Sequence, residues 1–378
     1  MDHITNGAES FQSGATAMLA SEDLDLFFVD IILREYTPGQ EITSTIDPTA
    51  PRIGGAATLS AAIQAFALAL LAGGTDPAGE DRAIAAMNTA LRLLHLAIQP
   101  ANLTAPVSLL AAAMCLLSAE ECVPRSLYNW TPHLEGLGYI IGTLPAEAYA
   151  EDIAHRLFVE ARSALIILGI QFRRSCFLAW REWRFVPFQN IAPSPFEALM
   201  SEVSAIPRIL DKMHGPGPMT PQLARAMSTE VLIDFRSVLL QLDSWAAGFS
   251  SSSGPIPFWY TTVSPHSQGK CIWFESVATA NALAHFWAFK VLCSPTYIPS
   301  QSSIQGYWRV IDYMMQHNIK FFGPTSVVFL LQVAYKTYRA GGERTSFEFE
   351  WCRQKVREII FGGYKFLGLF IDEFRVFL

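Results

Sequence analysis

Apolar side chains recur every three to four residues along almost the whole of this chain. Residues at that spacing lie on one face of an α-helix, so the pattern predicts helices that each bury one stripe. Prolines and paired glycines such as Gly73-Gly74 mark the ends of the helical segments. Alternation with a period of two, which is typical of half-buried strands, is scarce. We therefore expect an all-α protein with helices over Asp23 to Arg34, Leu59 to Leu71, Asp81 to Ile98, Pro106 to Ala119, Ala146 to Ile170, Pro221 to Trp245, Ser276 to Leu292, Thr325 to Tyr338 and Glu348 to Phe361.

The length and composition allow one large helical core. The chain has 378 residues, of which 51% are hydrophobic, a share that disordered chains do not reach. We expect a flexible N-terminal segment over residues 1–20 and a single all-α domain over residues 21–378. An irregular loop is expected near residues 249–270, where Pro, Ser and Gly are frequent.

Charge and hydropathy disfavour two classes of partner. The formal net charge is -7 and the basic runs are short, so we expect no direct binding of nucleic acid. The longest apolar windows, Ala56 to Ala72 and Leu103 to Leu117, are too short or too interrupted for a membrane span. The first residues lack a basic stretch followed by an apolar one, so we expect no secretory signal. An intracellular protein of the cytoplasm or nucleus is the expectation, with its oligomeric state left open.

The cysteines indicate neither a metal site nor a disulfide framework. None forms a C-x-x-C pair, and their spacing along the chain is irregular. The nearest approach to a magnesium-binding cluster is Asp23, Asp25 and Asp30, for which stabilisation of a helix N-terminus is the simpler interpretation. We expect reduced thiols, no metal and no cofactor. The six cysteines are Cys115, Cys122, Cys176, Cys271, Cys293 and Cys352.

Three segments between residues 90 and 141 resemble a known family. They read ALRLLHLAIQP, LLAAAMCLLSAEE and WTPHLEGLGYII. Their order is similar to that in the C-terminal regulatory domain of fungal zinc-cluster (Zn2Cys6) transcription factors. Weaker similarity continues near Ala205 to Met213 and Ser276 to Val291. The resemblance implies an all-α regulatory fold, and the absence of a zinc-cluster cysteine array leads us to expect no DNA-binding module in this chain.

The residues that carry the resemblance are scaffold positions rather than known active-site residues. A structural hydrogen bond is the expected role of His133 among them. They occupy three successive helices of the family pattern: Leu91, Leu94 and His95 on the first, Leu109, Leu110, Leu116 and Glu120 on the second, and Trp130, His133, Leu134 and Gly136 on the third.

The common catalytic signatures are missing from the sequence. There is no GxSxG nucleophile elbow, no Walker phosphate loop, no GxGxxG after a strand and no HExxH helix. This disfavours the commonest hydrolases, nucleotide-dependent enzymes and zinc proteases. A site in this chain would have to work by shape and by a few polar groups.

One segment, RRSCFLAWREWRFVPF over Arg173 to Phe188, concentrates aromatic rings and cations. Trp180 and Trp183 are three residues apart and would share a helical face, with arginines such as Arg184 around it. Such a face could bind an aromatic or carboxylate-bearing ligand by stacking and bidentate contacts. The alternative is an amphipathic helix with tryptophan inward and arginine outward.

A second set of candidates lies further along the chain. Tyr260, Trp273 and Trp287, with Trp180 and Trp183, are candidate walls of an apolar pocket closed by the loop over residues 249–270. His266, Glu275 and His285, with Arg184, are candidate catalytic groups that would orient a ligand or stabilise a dipole. A buried histidine satisfied by a backbone carbonyl is the alternative for His285, and packing into the core is the alternative for the aromatic residues.

Three classes of function fit these observations. One is a fragment of a transcriptional regulator that senses a metabolite or a partner, and another is a module that binds a partner protein. The third is an enzyme of fungal secondary metabolism that shapes an apolar terpenoid or polyketide intermediate for cofactor-independent cyclisation, as a Diels-Alderase-type pericyclase would. The sequence favours the third narrowly, on the absence of a DNA-binding module, and leaves the identity of the substrate open.

Overall fold

The computed structural model describes most of the chain between residues 57 and 361. The described residues are 57–72, 77–98, 106–123, 130–213, 221–253, 258–261, 271–274, 276–293, 310–311, 313–315, 322–340 and 347–361. The predicted helix over Asp23 to Arg34 and the predicted flexible segment over residues 1–20 lie outside them.

Helices dominate the described part of the chain, so the prediction of an all-α fold is confirmed. Their ends agree with the apolar periodicity to within a few residues at most positions. The helices are α1 (Ala57–Ala72), α2 (Pro77–Ala97), α3 (Pro106–Cys122), α4 (Trp130–Gly142), α5 (Asp152–Phe172), α6 (Arg181–Phe185), α7 (Pro195–Val203), α8 (Ile206–Lys212), α9 (Pro221–Ser253), α10 (Val277–Cys293), α11 (Phe322–Ala340) and α12 (Phe347–Phe361).

The first layer is built from α1, α2 and α3, which pack against one another. Alanines on α1 and α2 face this contact, and side chains this small let helix backbones approach closely. Helix α3 is buried on nearly all sides, which is the expected position for a helix that is apolar all round. The fully buried side chains of α1 and α2 are Ala62, Ala65, Ala69, Ala83, Met87 and Ala90.

Helix α4 connects this layer to the long helix α5. His133 on α4 and Glu120 on α3 are both buried, and His133 Nε2 lies 3.8 Å from Glu120 Oε2. This separation is longer than a hydrogen bond, so the two groups form a close buried contact and the hydrogen bond expected of His133 stays a prediction. Leu134 and Leu137, fully buried beside it, show that this side of α4 lies in the core.

The second half of the described fold is arranged around α5, α7 and α9. Helix α5 contacts α7 and α8, and α9 contacts α7, α8 and α10. Helix α10 then packs on α7 and α11, and α11 packs on α12. Buried side chains from all of these helices belong to one continuous hydrophobic cluster. A single domain over residues 21–378 stays a prediction, because it includes residues outside the described part.

The structure differs from the predicted irregular loop near residues 249–270. Residues 249–253 continue α9, and Phe258–Thr261 forms strand β1, which pairs antiparallel with β2 (Cys271–Phe274). Aromatic residues suit strands because they pack well on a pleated surface, and this segment is rich in them. The hairpin is the only sheet among the described residues, so no sheet of three strands is found there.

Candidate functional site

A groove opens where the segment Ser175 to Arg184 meets helices α8 and α9. It encloses about 370 Å³ and is lined by both polar and apolar side chains. Of the nine site residues expected from the sequence, Trp180 and Arg184 are among its lining residues. We call this feature the Trp180 groove.

The first wall of the groove follows from the way α5 ends. Arg173 adopts a left-handed conformation with φ 53, and the backbone N–H of Arg174 donates to the Gly169 carbonyl at 3.0 Å, which closes the helix. The backbone N–H and the hydroxyl of Ser175 then donate to the carboxylate of Asp211 on α8. These bonds tie the segment that precedes Trp180 to helix α8.

Trp180 and Trp183 occupy opposite environments, which corrects the expectation that they share one helical face. Trp180 is 61% exposed on the groove, whereas Trp183 is 5% exposed. The segment forms two single turns, a 3-10 helix over Phe177–Ala179 and then α6, and Trp180 is the junction between them. Helical phase is lost at that junction, so the spacing of three residues does not keep the two rings together.

The buried ring of Trp183 belongs to an aromatic cluster in the core. Its centroid lies 4.8 Å from that of Phe177 and 5.9 Å from those of Tyr149 and Phe158. Such tilted and edge-on pairs add to the stabilisation from burial. Trp183 therefore anchors the segment in the core, while Trp180 is exposed at the surface of the groove.

Helix α8 contributes the floor and one rim of the groove. Ile209 is buried beneath it, and Arg208 is exposed at its edge. Lys212, at the end of α8, donates to Glu230 at 2.6 Å and to Asp234 at 2.9 Å, both on α9. These hydrogen bonds raise the pKa of Lys212 and fasten the two helices that form the groove.

Helix α9 presents one face to the groove. Asp234, Ser237, Val238 and Gln241 recur at spacings of three and four residues, so they lie along a single stripe of the helix. The stripe combines a carboxylate, a hydroxyl and an amide with one apolar side chain.

Arg184 is anchored on the opposite wall. Its Nη2 donates to Glu202 Oε2 at 3.2 Å, and its guanidinium carbon lies 5.3 Å from the centroid of the Phe185 ring. The Nε of Arg184 is enclosed without a hydrogen-bond acceptor among the described residues. The cation expected from the sequence is therefore held in place and keeps donor capacity that its neighbours do not use.

Behind the groove, Arg162 and Glu197 form a fully enclosed polar network. Arg162 is 0% exposed, and its Nη1 donates to the backbone carbonyl of Glu197 at 3.1 Å and lies 3.5 Å from Glu197 Oε2. Its Nη2 donates to the hydroxyl of Ser201 at 2.8 Å. Burial raises the pKa of the Glu197 carboxyl to about 7 even though Arg162 beside it acts in the other direction.

His285 is a core residue away from the groove's lining. Its Nδ1 lies 2.9 Å from the carbonyl oxygen of Asn281, and its ring stacks on Phe329 and meets Phe196 edge-on. Burial lowers its pKa to about 4, so the imidazole is neutral at pH 7. This is the alternative weighed for His285 from the sequence, a buried histidine satisfied by a carbonyl.

Three further expected site residues lie on neighbouring elements, because β1 pairs with β2 and β2 contacts α10. Tyr260 lies on β1 opposite Ile272 of β2, and Trp273 lies opposite Trp259. Trp287 is half-buried on α10. His266 and Glu275 lie outside the described residues, so their roles stay predictions.

Sequence reasoning missed the α8 and α9 walls of the groove. Arg208, Asp234 and Gln241 are polar residues on helices whose other faces are buried, and nothing in their spacing marks them as ligand-binding. Only the contact between α8 and α9 brings them opposite Trp180 and Arg184.

One comparison with known proteins found a match. The model of the fungal specific transcription factor domain matches residues 27–190, which confirms the resemblance between residues 90 and 141 and includes Trp180 and Arg184. The weaker similarity near Ala205 to Met213 and Ser276 to Val291 lies outside this match and stays a prediction. No curated protein and no solved structure matches this chain. None of the helices in the described part of the chain has the length and hydropathy needed to cross a membrane. Within the described part of the chain, no three His, Cys, Asp or Glu side chains lie close enough together to hold a metal ion.

Proposed function

Since residues 27–190 match the fungal specific transcription factor domain, we propose that this chain is a regulatory module that alters transcription through a bound partner or metabolite. The match is the single observation that carries the proposal. The nucleus or the cytoplasm is the expected location of such a module.

One feature of the described structure supports a module that responds to a bound ligand. The Trp180 groove is half built from the matched residues and half from α8 and α9, which follow them in sequence. A ligand there would contact both parts of the chain. Its energy of binding would therefore act on the packing of α8 and α9 against the matched domain.

The experiment that tests the function is a tethered reporter assay. The whole chain is fused to a bacterial DNA-binding domain in yeast, with the cognate operator placed upstream of a reporter gene. We expect reporter output to change several-fold relative to the DNA-binding domain alone, because a regulatory module brings its activity to whatever promoter it is tethered to.

Two variants make the assay specific to the folded domain. Leu134→Asp places a charge at a fully buried position of α4, and Leu96→Asp places the same charge at a position that is 61% exposed on α2. The first should abolish the effect and the second should retain it. Reporter output equal to that of the DNA-binding domain alone, from a fusion that is expressed and folded, would show that the chain is not a regulatory module.

The cyclase hypothesis stays a prediction. No contact among the described residues favours cyclisation, and the candidate catalytic residue His285 is enclosed by aromatic rings. It is tested by incubating the purified chain with polyene or diene pathway intermediates and measuring product against the uncatalysed rate. A rate above that background would favour the enzyme over the regulator.

A further inference from the structure

We propose that the Trp180 groove binds a small organic monoanion with a flat apolar body, such as an aromatic or polyene carboxylate. In this arrangement the guanidinium of Arg208 pairs with the carboxylate and the indole of Trp180 stacks on the apolar body. This inference extends the proposed regulatory function. The binding of the ligand does not depend on that function, but the consequence of binding does.

The charge of the ligand follows from the charged residues that line the groove. They are Arg184, Arg208 and Asp234. Arg184 is paired with Glu202, and Asp234 accepts from Lys212 at 2.9 Å. Arg208 has no ion pair or hydrogen bond with the residues that the structure describes. Arg208 is therefore a lining cation without a partner among the described residues, and a single anionic group matches it.

Arginine also fits the geometry of this anion. The planar guanidinium offers parallel N–H donors that a carboxylate accepts in a bidentate manner, and it stays charged at all physiological pH values. Arg208 is exposed on α8, so pairing with it does not require the fold to open. The Lys212 ammonium, which Asp234 shares with Glu230, offsets part of the repulsion between the Asp234 carboxylate and the ligand.

The apolar part of the ligand follows from Trp180. An indole that is 61% exposed leaves a large aromatic face in water beside the groove. Phe177, Ile209 and Val238 continue the apolar surface into the groove. A flat, unsaturated body would cover both surfaces at once, and stacking on tryptophan favours it over a branched aliphatic one.

The size of the groove favours a small molecule over a protein segment. Its volume of about 370 Å³ lies near the lower end of ligand pockets, which are about 300–1,000 Å³. Ser237 and Gln241, one turn apart on α9, add neutral donors and acceptors that would orient a carbonyl or hydroxyl group of the ligand.

The test measures binding directly on the purified full chain by calorimetry, with no transcriptional readout. The probes are 2-naphthoate, the uncharged 2-naphthalenemethanol and the cation 2-naphthylmethylammonium. We expect 2-naphthoate to bind at least about tenfold more tightly than the alcohol, because the charge-assisted pair with Arg208 is absent from the alcohol. The ammonium probe should not bind measurably, and added salt should weaken the binding of 2-naphthoate.

Matched variants locate the site. Arg208→Gln and Trp180→Ala should each reduce the affinity for 2-naphthoate by about tenfold, in line with the loss of a charge-assisted pair or a stacked ring. Arg181→Gln removes an exposed arginine that does not line the groove and should leave the affinity within about twofold. All three positions are exposed, so we expect unchanged thermal unfolding.

Several outcomes would overturn the proposal. They are equal binding of the acid and the alcohol, equal loss in Arg208→Gln and Arg181→Gln, preference for the ammonium probe, binding of an acidic peptide in place of 2-naphthoate, or no binding of 2-naphthoate at millimolar concentration. A reporter that responds while the probe fails to bind would refute the groove ligand and leave the regulatory function standing.

Discussion

Arg162 on α5 lies with its Nη1 3.5 Å from Oε2 of Glu197 on α7, and the arginine is 0% exposed. Glu197 follows Ser194 by three residues, and the Ser194 hydroxyl accepts from the Glu197 backbone N–H at the start of α7. In a capping box the glutamate side chain would turn back to the helix end. Here it turns toward Arg162 instead, so the pair joins two core helices behind the Trp180 groove.

The first prediction concerns the pH dependence of this pair. Burial raises the pKa of Glu197 from 4.5 to about 7, so the folded state binds more protons than the unfolded state between these values. The free energy of unfolding should therefore fall as pH rises through that window, by up to about 3 kcal/mol relative to Glu197→Gln, in which the group does not titrate. Urea unfolding of both proteins between pH 4.5 and 7.5 measures this difference.

The groups around Glu197 make the measurement interpretable. Arg162 keeps its bonds to the Glu197 carbonyl and to Ser201 when the carboxyl is protonated, so the cation does not lose all its partners. Arg184 and Cys176 act electrostatically on Arg162 and are present in both proteins, whereas Glu197 helps to raise the pKa of Glu160, so the comparison with Glu197→Gln includes the change at Glu160. A difference between wild type and variant that is constant with pH would contradict the raised pKa.

The second prediction concerns His285 and has the opposite sign. Burial lowers its pKa from 6.5 to about 4, so the unfolded state binds more protons within that window. Stability should be lost as pH falls from 6.5 toward 4, by up to about 3 kcal/mol relative to His285→Phe. The phenylalanine can occupy the same ring cluster with Phe196 and Phe329.

The His285 effect opposes that of Glu197 over pH 4.5 to 6.5, so each contribution is read from the difference between the wild type and the matching variant. The imidazole resonances of His285 provide an independent measurement by NMR. If they titrate near pH 6.5, the residue is solvated and the core placement is wrong.

The third prediction concerns the contact between α5 and α8. A Cβ added to Gly169 would lie 3.0 Å from the Cβ of Pro207 and 3.1 Å from the Arg174 carbonyl oxygen. Gly169→Ala should therefore destabilise the protein by about 1–3 kcal/mol, because the two helices must move apart. Chemical denaturation measures the change.

Gly136 on α4 is the matched control for this substitution. A Cβ there would meet nothing within 4 Å. Gly136→Ala should stabilise the protein by about 0.5–1 kcal/mol through the higher helix propensity of alanine. Equal effects of the two substitutions would show that Gly169 does not set the distance between α5 and α8.

The fourth prediction concerns metal and DNA. The thiols lack the spacing of zinc ligands and the net charge is -7, so the purified chain should hold no stoichiometric zinc and bind no duplex DNA at physiological salt. Elemental analysis and a fluorescence anisotropy titration measure both. Two zinc ions per chain would show that the cysteines had been misinterpreted.

Helices with a continuous apolar stripe were predictable, and helices interrupted by a turn were not. The segments that became α1, α3 and α12 begin and end close to the predicted residues, because their runs of apolar side chains at helical spacing mark the buried part of the chain. The stretch around Trp180 and Trp183 also looked helical. In the structure it forms single turns, and Trp183 packs in the core against Phe177 of the preceding turn.

The candidate site could be predicted only in part. Trp180 and Arg184 were recognisable as an aromatic ring and a cation in one segment, and both line the groove. Their partners Arg208 and Asp234 lie on helices with no local signal for binding. The groove depends on which helices pack against each other. The two pairs of residues are 24 or more positions apart in sequence, and a local sequence pattern does not indicate contacts at that separation.

Sequence alone determined the helical class, the acidic charge, the family resemblance and the list of chemistries that lack their signatures, because each depends on local periodicity, composition or a short motif. Tertiary structure alone decided which tryptophan is exposed, which charges are paired and that His285 is enclosed by rings. These are properties of the space between helices. Burial, pairing and pKa arise when residues distant in sequence exclude water together, and the order of residues along the chain does not specify which of them will do so.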